Sequence, residues 1–335
     1  MSDRILLAGD IGGTKSDIIA FSEKNGLGSP LAASTFASAD YRGLEELATA
    51  FLVTVPFAVD AACFGVAGPV VGNRSAITNL PWIIDGQALE RELALSRILL
   101  INDLAATAAA IPYLLPDDLK TIKHGTAEYG GRIGVLAPGT GLGEAFSVWD
   151  GSRYLPCSSE GGHTDFAPTS AEEIELLRYM QKKIGHVSYE HLVSGSGLPN
   201  IFAFLRESGS APLNPGLKQQ LATAADQAPV IVANGLTAEL GCPLCRKTLE
   251  MFVAILAAEA GNLALKVMAT GGIFLGGGIP LRILAMLDTD AFRAAFTRKG
   301  RMTRLLSDIP VHVILNPKAA LLGAAYTLLE KGVDG

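Results

Sequence analysis

The amino-acid sequence predicts an α/β protein of two domains, each with a mixed β-sheet flanked by helices. Three observations predict this architecture. The chain has 335 residues, 49% of them hydrophobic, which is enough for two separate cores. Short apolar runs that end at glycine or proline alternate with longer helical segments. A glycine-rich hairpin opens each half of the chain, at residues 9–14 and 137–143, so we expect the two halves to be related.

The first half follows the order strand, strand, strand, helix, strand, strand, helix. The patterns predict strands at 5–9, 16–21, 31–37, 59–67 and 98–101, and helices at 44–53 and 104–111. Pro112 and Pro116 then interrupt the chain, so we predict a small α/β domain at 1–113 and a large α/β domain at 114–316. The C-terminal helix, within 317–335, is expected to pack back on the small domain.

The second half repeats the opening hairpin and then becomes mainly helical. The patterns predict strands at 132–137, 144–149 and 311–315, a short strand at the start of segment 270–280, and helices at 170–184, 244–268 and 318–331. Segment 216–240 is predicted to form two helices separated at Pro229. The apolar helix at 244–268 is expected to lie at the centre of the domain.

Composition argues against several classes of function. Charged residues make up 18% of the chain and the formal net charge is −6, so we expect no nucleic-acid partner and favour a small molecule. Four cysteines in so long a chain do not form a disulfide framework. We find no apolar signal core at the start and no apolar run of the roughly 18 residues that a membrane span needs, so we expect a cytoplasmic protein without a membrane partner.

Asn102 and Asp103 stand where a strand ends and an alanine-rich helix begins. In open α/β sheets, ligands collect at the carboxyl ends of strands, so the Asp103 carboxylate is a candidate to face a substrate hydroxyl. Asp and Asn are also preferred helix N-caps, and taken alone the pair is better explained by capping. The rest of the sequence has to decide between these two roles.

Both glycine-rich hairpins contain residues suited to phosphate. The candidates are Gly9, Asp10, Gly12, Gly13 and Thr14 in the first hairpin and Gly139, Thr140 and Gly141 in the second. Glycines without a Cβ atom can adopt positive φ, so backbone N–H groups and a threonine hydroxyl can close around a phosphate. Asp10 is suited to Mg²⁺ through the water shell of the ion. One such hairpin is better explained as an ordinary turn, but two together predict that two ends of a polyphosphate are bound.

Two further segments offer groups that bind hydroxyls. Thr78 and Asn79 precede Trp82 in a loop that would line a sugar pocket, or equally be a turn with a core tryptophan. Glu160 and His163 flank a Gly-Gly pair that disfavours a helix, which leaves a loop able to bind either a metal or sugar hydroxyls. Glu190 belongs to another polar cluster farther along the chain.

Two remaining patterns involve cysteine and glycine. Cys242 and Cys245 have the spacing of half a zinc site, and without a second pair we expect no structural zinc. Segment 271–278, which includes Gly276 and Gly277, is expected to form a turn whose backbone can approach a flat adenine or ribose.

With these motifs the chain closely resembles the bacterial ATP-dependent glucokinase family, within the superfamily of actin, the sugar kinases and the heat-shock ATPase chaperones. The resemblance runs nearly end to end. It identifies 9–14 and 137–143 as phosphate motifs, 271–278 as the adenosine motif and 101–103 as the segment with the catalytic base. The sequence departs from the family at Lys15, where Asn is common. The cysteine-rich zinc motif and the helix-turn-helix domain of the related repressors are not found.

The resemblance implies two actin-like (ribonuclease H-like) domains with the active site in the interdomain cleft. It further implies that ATP, with Mg²⁺, phosphorylates the 6-hydroxyl of glucose and that Asp103 is the base. Glucose contacts would fall on Asn102, Asp103, Glu160, His163 and Glu190, with Thr78 and Asn79 nearby. A homodimer is expected. The alternative is an ATP-gated switch, which shares the phosphate motifs but has no use for so many hydroxyl-binding groups.

Overall fold

The computed structural model describes residues 3–78, 80–237 and 242–331. The strands are β1 (Ile5–Ile11), β2 (Lys15–Ser22), β3 (Ala32–Ala37), β4 (Ala61–Val66), β5 (Val70–Val71), β6 (Arg74–Ala76), β7 (Ile83–Asp85), β8 (Arg97–Asn102), β9 (Leu119–Lys123), β10 (Ile133–Pro138), β11 (Leu142–Trp149), β12 (Tyr154–Ser159), β13 (Gly272–Leu275) and β14 (Val311–Ile314). The helices are α1 (Leu44–Leu52), α2 (Gly86–Leu93), α3 (Asp103–Ala110), α4 (Ala171–Ile184), α5 (Gly197–Glu207), α6 (Pro215–Thr223), α7 (Ala228–Leu236), α8 (Pro243–Val267), α9 (Gly278–Arg282), α10 (Leu284–Leu287), α11 (Asp290–Thr297), α12 (Thr303–Asp308) and α13 (Ala319–Lys331).

The chain divides into two compact units. Unit 1 contains Met1–Leu115, Phe146–Ser158 and Asn316–Gly335, and unit 2 contains Pro116–Ala145 and Ser159–Leu315. Each unit is built on a main mixed sheet with helices packed on it, which confirms the predicted fold class.

The sheet of unit 1 has the strand order β3-β2-β1-β4-β8. Strands β1, β2 and β3 pair antiparallel, whereas β4 runs parallel to both β1 and β8. The three parallel strands therefore end at the same edge of the sheet. Asp10 pairs with Gly65 and Val66 pairs with Asn102, so the candidate residues of this unit are gathered along that edge.

Alternating side chains of β1 fill both faces of this sheet. Leu7 packs in a core with Phe51 of α1 and Trp82, while Leu6 packs on the opposite face with Leu321 of α13. This alternation follows from the period of two residues in a strand. Helix α13 also lies against α3, and a Cβ atom at Gly323 would overlap the carbonyl oxygen of Ala106. The predicted C-terminal helix thus belongs to unit 1 as far as Lys331, and residues 332–335 lie outside the described part.

A second main sheet has the strand order β12-β11-β10-β13-β14-β9, and its strands β9, β10, β13 and β14 lie entirely within unit 2. Strand β13 is parallel to β10 and β14, and β9 closes the edge antiparallel to β14. As in unit 1, a glycine turn joins two neighbouring strands, and one of them, β10, also pairs with the parallel strand β13, which agrees with the predicted relation between the two halves.

Helix α8 is the central element of the unit 2 core. Leu249, Phe252 and Leu256 are fully buried in it. By length and composition alone α8 could cross a membrane, but 78% of its most apolar window is buried inside the protein. Such burial is typical of the core helix of a globular domain.

Element boundaries differ from the sequence prediction in a few places. The break in segment 216–240 lies between α6 and α7, and Pro229 is in the first turn of α7 rather than at the break. Proline is tolerated there because the first N–H groups of a helix have no partner within the helix. The short strands β9 and β12 were not predicted, since five or six residues of mixed polarity give a weak periodic signal.

Candidate functional site

Asn102 and Asp103 lie at the carboxyl end of β8, and the structure separates their roles. Asn102 is the N-cap of α3: its side-chain oxygen accepts hydrogen bonds from the N–H groups of Leu104 and Ala105, at 3.0 and 3.1 Å. Oδ1 of Asp103 accepts from Nδ2 of Asn102 at 3.0 Å and from N–H of Leu104 at 2.9 Å. Because Asn102 already caps the helix, capping alone does not account for Asp103.

Asp10 stands beside Asp103 on the same sheet edge. Gly65 separates the two, and a Cβ atom at Gly65 would already contact Cα of Asp103 at 3.9 Å. Burial and, second, the negative charge of Asp103 raise the pKa of Asp10 to about 7. Two neighbouring carboxylates that repel each other favour a bound cation, which fits Mg²⁺. Within the described ranges, no group of three or more His, Cys, Asp or Glu could hold a metal, so a cation at Asp10 would keep water ligands.

The first glycine turn (residues 12–14) joins β1 to β2. The expected positive φ is not found at Gly12 or Gly13. Gly12 is instead required by close approach, because a Cβ atom there would lie 2.8 Å from the carbonyl oxygen of Lys15. Thr14 is exposed at the tip. Lys15 is also exposed and pairs with Asp17 at 2.8 Å.

Ser38 braces this turn and was not singled out in the sequence. It is fully buried, its hydroxyl donates to the carbonyl of Gly12 at 2.7 Å, and its N–H donates to the carbonyl of Thr14 at 3.1 Å. A serine 26 residues away from Gly12 carries no local signal of this contact.

The loop around Thr78 and the side chain of Asn102 both hydrogen-bond to the segment that follows β4. N–H of Thr78 donates to the carbonyl of Ala67 at 2.8 Å, and Nδ2 of Asn102 donates to the carbonyl of Gly68 at 3.1 Å. Trp82 is only 3% exposed and packs in the core, so the tryptophan itself is a core residue, and the sugar contact of Thr78 stays a prediction. Asn79, predicted to contact sugar, lies outside the described residues.

The second glycine turn (residues 139–141) joins β10 to β11 and is tied to Glu190. Oε2 of Glu190 accepts a hydrogen bond from N–H of Leu142 at 2.9 Å. A Cβ atom at Gly141 would overlap the same oxygen and would displace the Glu190 side chain from Leu142. N–H of Gly195 donates to the carbonyl of Gly139 at 2.8 Å and braces the turn from the other side. Thr140 is exposed at its tip.

The 160–163 loop lies directly on β11. Gly162 is required there, because a Cβ atom would overlap the carbonyl of Leu142. A Cβ atom at Gly161 would overlap Oε2 of Glu144 and would displace that side chain. N–H of Glu190 donates to the carbonyl of Gly162 at 2.9 Å. The loop therefore has a fixed position relative to both β11 and Glu190.

Glu160, His163 and Glu190 come together at the surface of unit 2. Nε2 of His163 lies 3.9 Å from Oε2 of Glu160, and its Nδ1 lies 3.7 Å from Oε1 of Glu190. The Glu160 and His163 side chains are 63% and 60% exposed, so they remain able to contact a ligand. These separations are longer than direct hydrogen bonds, so the three side chains can direct hydrogen bonds to a ligand instead of to one another.

A cavity of ≈ 810 Å³ opens beside the second glycine turn within unit 2. Thr140, Ser196, Gly278 and Arg282 are among its lining residues. Gly277, predicted with Gly276 to approach a nucleotide, has φ +82°, and a Cβ atom there would lie 2.6 Å from the carbonyl of Pro138. The two glycine segments that are far apart in the sequence therefore meet, and Gly139, Thr140 and Gly278 line one cavity.

Cys242 and Cys245 are both buried and have free thiols. Burial, with the neighbouring Cys242, raises the pKa of the Cys245 thiol well above its ordinary value. A protonated thiol is a poor metal ligand. The absence of zinc here stays a prediction.

Three comparisons relate this chain to known proteins. The family model described as Glucokinase matches residues 7–331. The glucokinase of Nostoc punctiforme is 39% identical over 334 residues, which cover 96% of this chain and 98% of the relative. The glucokinase of Yersinia enterocolitica is 35% identical over 326 residues, or 97% and 96% of the two chains. The crystal structure of a glucokinase from an Antarctic psychrotroph matches with a TM-score of 0.83 and 31% identity, over 98% of this chain and 99% of that one.

Proposed function

This chain belongs to the glucokinase family, and from that premise we propose that it transfers the γ-phosphate of ATP to the 6-hydroxyl of glucose, giving glucose 6-phosphate and ADP. It is thus a sugar kinase, a phosphotransferase with an alcohol group as acceptor. The chain's own residues account for each part of the reaction.

The position of Glu190 is the observation that carries this proposal. One of its carboxylate oxygens accepts a hydrogen bond from Leu142, next to the second glycine turn, at 2.9 Å. The other lies 3.7 Å from His163 of the 160–163 loop. A single side chain thereby links the phosphate turn to the cluster that binds hydroxyls. Transfer of phosphate to a hydroxyl requires the two reacting groups to be held at a fixed distance and orientation.

Asp103 is the general base. It takes the proton from the 6-hydroxyl as that oxygen forms its bond to the γ-phosphorus, and the bond from this phosphorus to the leaving oxygen of ADP breaks. Hydrogen bonds from Asn102 and Leu104 to Oδ1 fix the orientation of the Asp103 carboxyl group. No covalent enzyme intermediate is required.

Hydrogen bonds from polar side chains would orient the sugar, and we propose Asn102, Asp103, Glu160, His163 and Glu190 for this role. Thr78 and Asn79 are proposed to contribute from the neighbouring loop. A site that bonds every hydroxyl rejects analogues lacking one far better than an apolar pocket does.

The glycine turns and Asp10 bind the charged end of the nucleotide. Backbone N–H groups of the turns and the hydroxyls of Thr14 and Thr140 are suited to phosphate oxygens. The cavity beside Thr140 and Gly278 has a volume typical of small-molecule sites and would hold the nucleoside. Asp10 would hold Mg²⁺ through water, and the bound ion would offset charge on the phosphates.

The test is whether ATP consumption depends on the sugar. A coupled assay for ADP, run with purified protein and with glucose, mannose, fructose or glucosamine, should give turnover that requires glucose and Mg²⁺. Sugar-independent hydrolysis, with no phosphorylated sugar formed, would favour the ATP-gated switch instead. A homodimer and a cytoplasmic location stay predictions, which light scattering and cell fractionation can test.

A further inference from the structure

Arg282 is the one cationic residue among the described residues that line the cavity beside the second glycine turn. It is the last residue of the short helix α9 and is exposed. Within the described ranges, no hydrogen bond or ion pair engages its guanidinium group. The five N–H donors of this group therefore remain available to a ligand in the cavity.

Helix geometry places Arg282 on the cavity side of α9. Gly278 lies four residues earlier, so it shares that side of the helix, and it also lines the cavity. Ile279 and Ile283 pack in the core of unit 2 and hold α9 in place from within. Because Cα–Cβ bonds in a helix tilt toward its N-terminal end, the Arg282 side chain leans back toward Gly278.

The end of the cavity near Gly278 holds the second glycine turn. A Cβ atom at Gly277, directly before α9, would lie 2.6 Å from the carbonyl oxygen of Pro138, so α9 starts against the beginning of this turn. Thr140 of the turn lines the same cavity. A rise of about 6 Å along the helix separates Gly278 from Arg282, and an arginine side chain can span such a distance. Arg282 can therefore reach a phosphate that is bound at the turn.

The remainder of the lining offers no second positive charge. Many of its residues are apolar and suited to a nucleoside base, among them Leu198, Pro229 and Val232. Asp226 is the other charged lining residue, and its Oδ1 accepts a hydrogen bond from N–H of Ala228 at 2.9 Å. Asp226 would repel a phosphate, whereas Arg282 would attract one. The phosphate groups of a nucleotide are therefore favoured at the part of the cavity near Arg282.

We propose that Arg282 is a phosphate-binding residue of the nucleotide site: its guanidinium group donates hydrogen bonds to a phosphate group of the nucleotide beside Thr140. A guanidinium group can bind two phosphate oxygens at once, which a point charge cannot do with the same geometry. This inference rests on the proposed function, because the cavity holds a nucleotide only if ATP is the phosphate donor. It adds to the glycine turn the positive charge that backbone N–H groups and a hydroxyl lack.

Nucleotide binding by three variants tests this role. Arg282→Gln removes the charge and should raise the Kd for ADP about tenfold or more, measured by calorimetry without glucose. Adenosine has no phosphate, so its Kd should stay within about twofold of wild type. Arg282→Lys keeps the charge without the planar pair of donors, and its Kd for ADP should fall between the two. Arg304→Gln changes an exposed arginine of α12 outside the cavity lining, and this matched control should bind ADP as the wild type does.

The comparison of the two ligands separates phosphate binding from other roles. Because Arg282 is exposed, its substitution should not prevent folding. Arg282→Gln protein that binds ADP like the wild type, or that loses affinity for ADP and adenosine equally, would overturn the inference. In turnover assays its KM for ATP should rise, while its KM for glucose stays within about twofold of wild type. Wild-type protein that binds ADP but transfers no phosphate to glucose would overturn the proposed function instead, and wild-type protein that binds no ADP would overturn both.

Discussion

Asn102 donates a hydrogen bond from Nδ2 to Oδ1 of Asp103 at 3.0 Å, while its own Oδ1 caps helix α3. One residue thus closes the helix and orients its neighbour. The sequence left two roles open for this pair, helix capping and catalysis, and Asn102 is the residue that caps the helix. Asp103 occupies the first position of the helix, at the carboxyl end of β8. There the helix dipole favours its negative charge.

We expect Asp103→Asn to abolish phosphorylation and to leave glucose binding measurable. The amide keeps the volume and the hydrogen-bonding atoms but cannot act as a base, which should lower kcat about 10²–10⁴-fold or more. Turnover and calorimetric binding on the same preparation measure the two effects.

Asp85→Asn is the control for this variant. Asp85 is the N-cap of α2 and accepts from N–H of Gln87 and Ala88, so the change alters a cap in unit 1 away from the proposed chemistry. Near-normal turnover in Asp103→Asn would return Asp103 to a structural role.

Nucleotide binding with Mg²⁺ is expected to weaken below pH 7. Burial and Asp103 raise the pKa of Asp10 to about 7, so Asp10 is protonated, and unable to bind Mg²⁺, below that pH. Affinity for MgADP should fall up to about tenfold for each pH unit below 7. Calorimetry at pH 6, 7 and 8 tests this, and Asp10→Asn should bind weakly without this dependence. The same pH dependence in both proteins would contradict the prediction.

Gly277→Ala is expected to destabilise the protein more than Gly278→Ala. Residue 277 has φ +82° and would place a Cβ atom 2.6 Å from the carbonyl of Pro138, whereas a Cβ atom at residue 278 meets nothing within 4 Å. The strained backbone alone should cost about 1–3 kcal/mol. Thermal unfolding of both variants measures the difference, and equal melting temperatures would exclude this account of Gly277.

Glu144→Gln is expected to gain stability over wild type as the pH rises. The ordinary pKa of Glu144, 4.5, is raised to about 8 in the folded protein. Its contribution to the free energy of unfolding is therefore complete below pH 4.5 and is lost as the pH rises to about 8, at about 1.4 kcal/mol per pH unit. Glutamine has no proton to lose. Denaturant unfolding at pH 5 and 8 should show a difference between the two proteins that grows with pH, and a constant difference would contradict the raised pKa.

Cys242 and Cys245 are expected to hold no metal, since two buried thiols supply only half of a tetrahedral zinc site. Replacing both by serine should preserve activity, although polar groups at buried positions will cost some stability. Elemental analysis of protein purified without chelators provides the measurement. Stoichiometric zinc that disappears together with activity in the double variant would show that the prediction is wrong.

Local patterns in the sequence determined the elements and the chemical candidates. Apolar residues at every second position predicted most strands, and apolar residues three to four positions apart predicted most helices. The predicted bounds were within a few residues, because these patterns depend on neighbours in the chain. The turns at Gly12 and Gly139 and the junction at Asn102 were found for the same reason. The φ angles were not predicted correctly: Gly12 is required by close approach, neither Gly12 nor Gly13 has a positive φ, and a positive φ is found at Gly277.

Only the tertiary structure decided which of these candidates support one another. Glu190 binds N–H of Leu142 from 48 residues away, and Ser38 braces the first glycine turn from 26 residues away. Trp82 fills the core, and the buried Glu144 of β11 lies beside Gly161. Such contacts depend on how sheets and helices pack, and burial, which sets the proton on Glu144, exists only once they have packed.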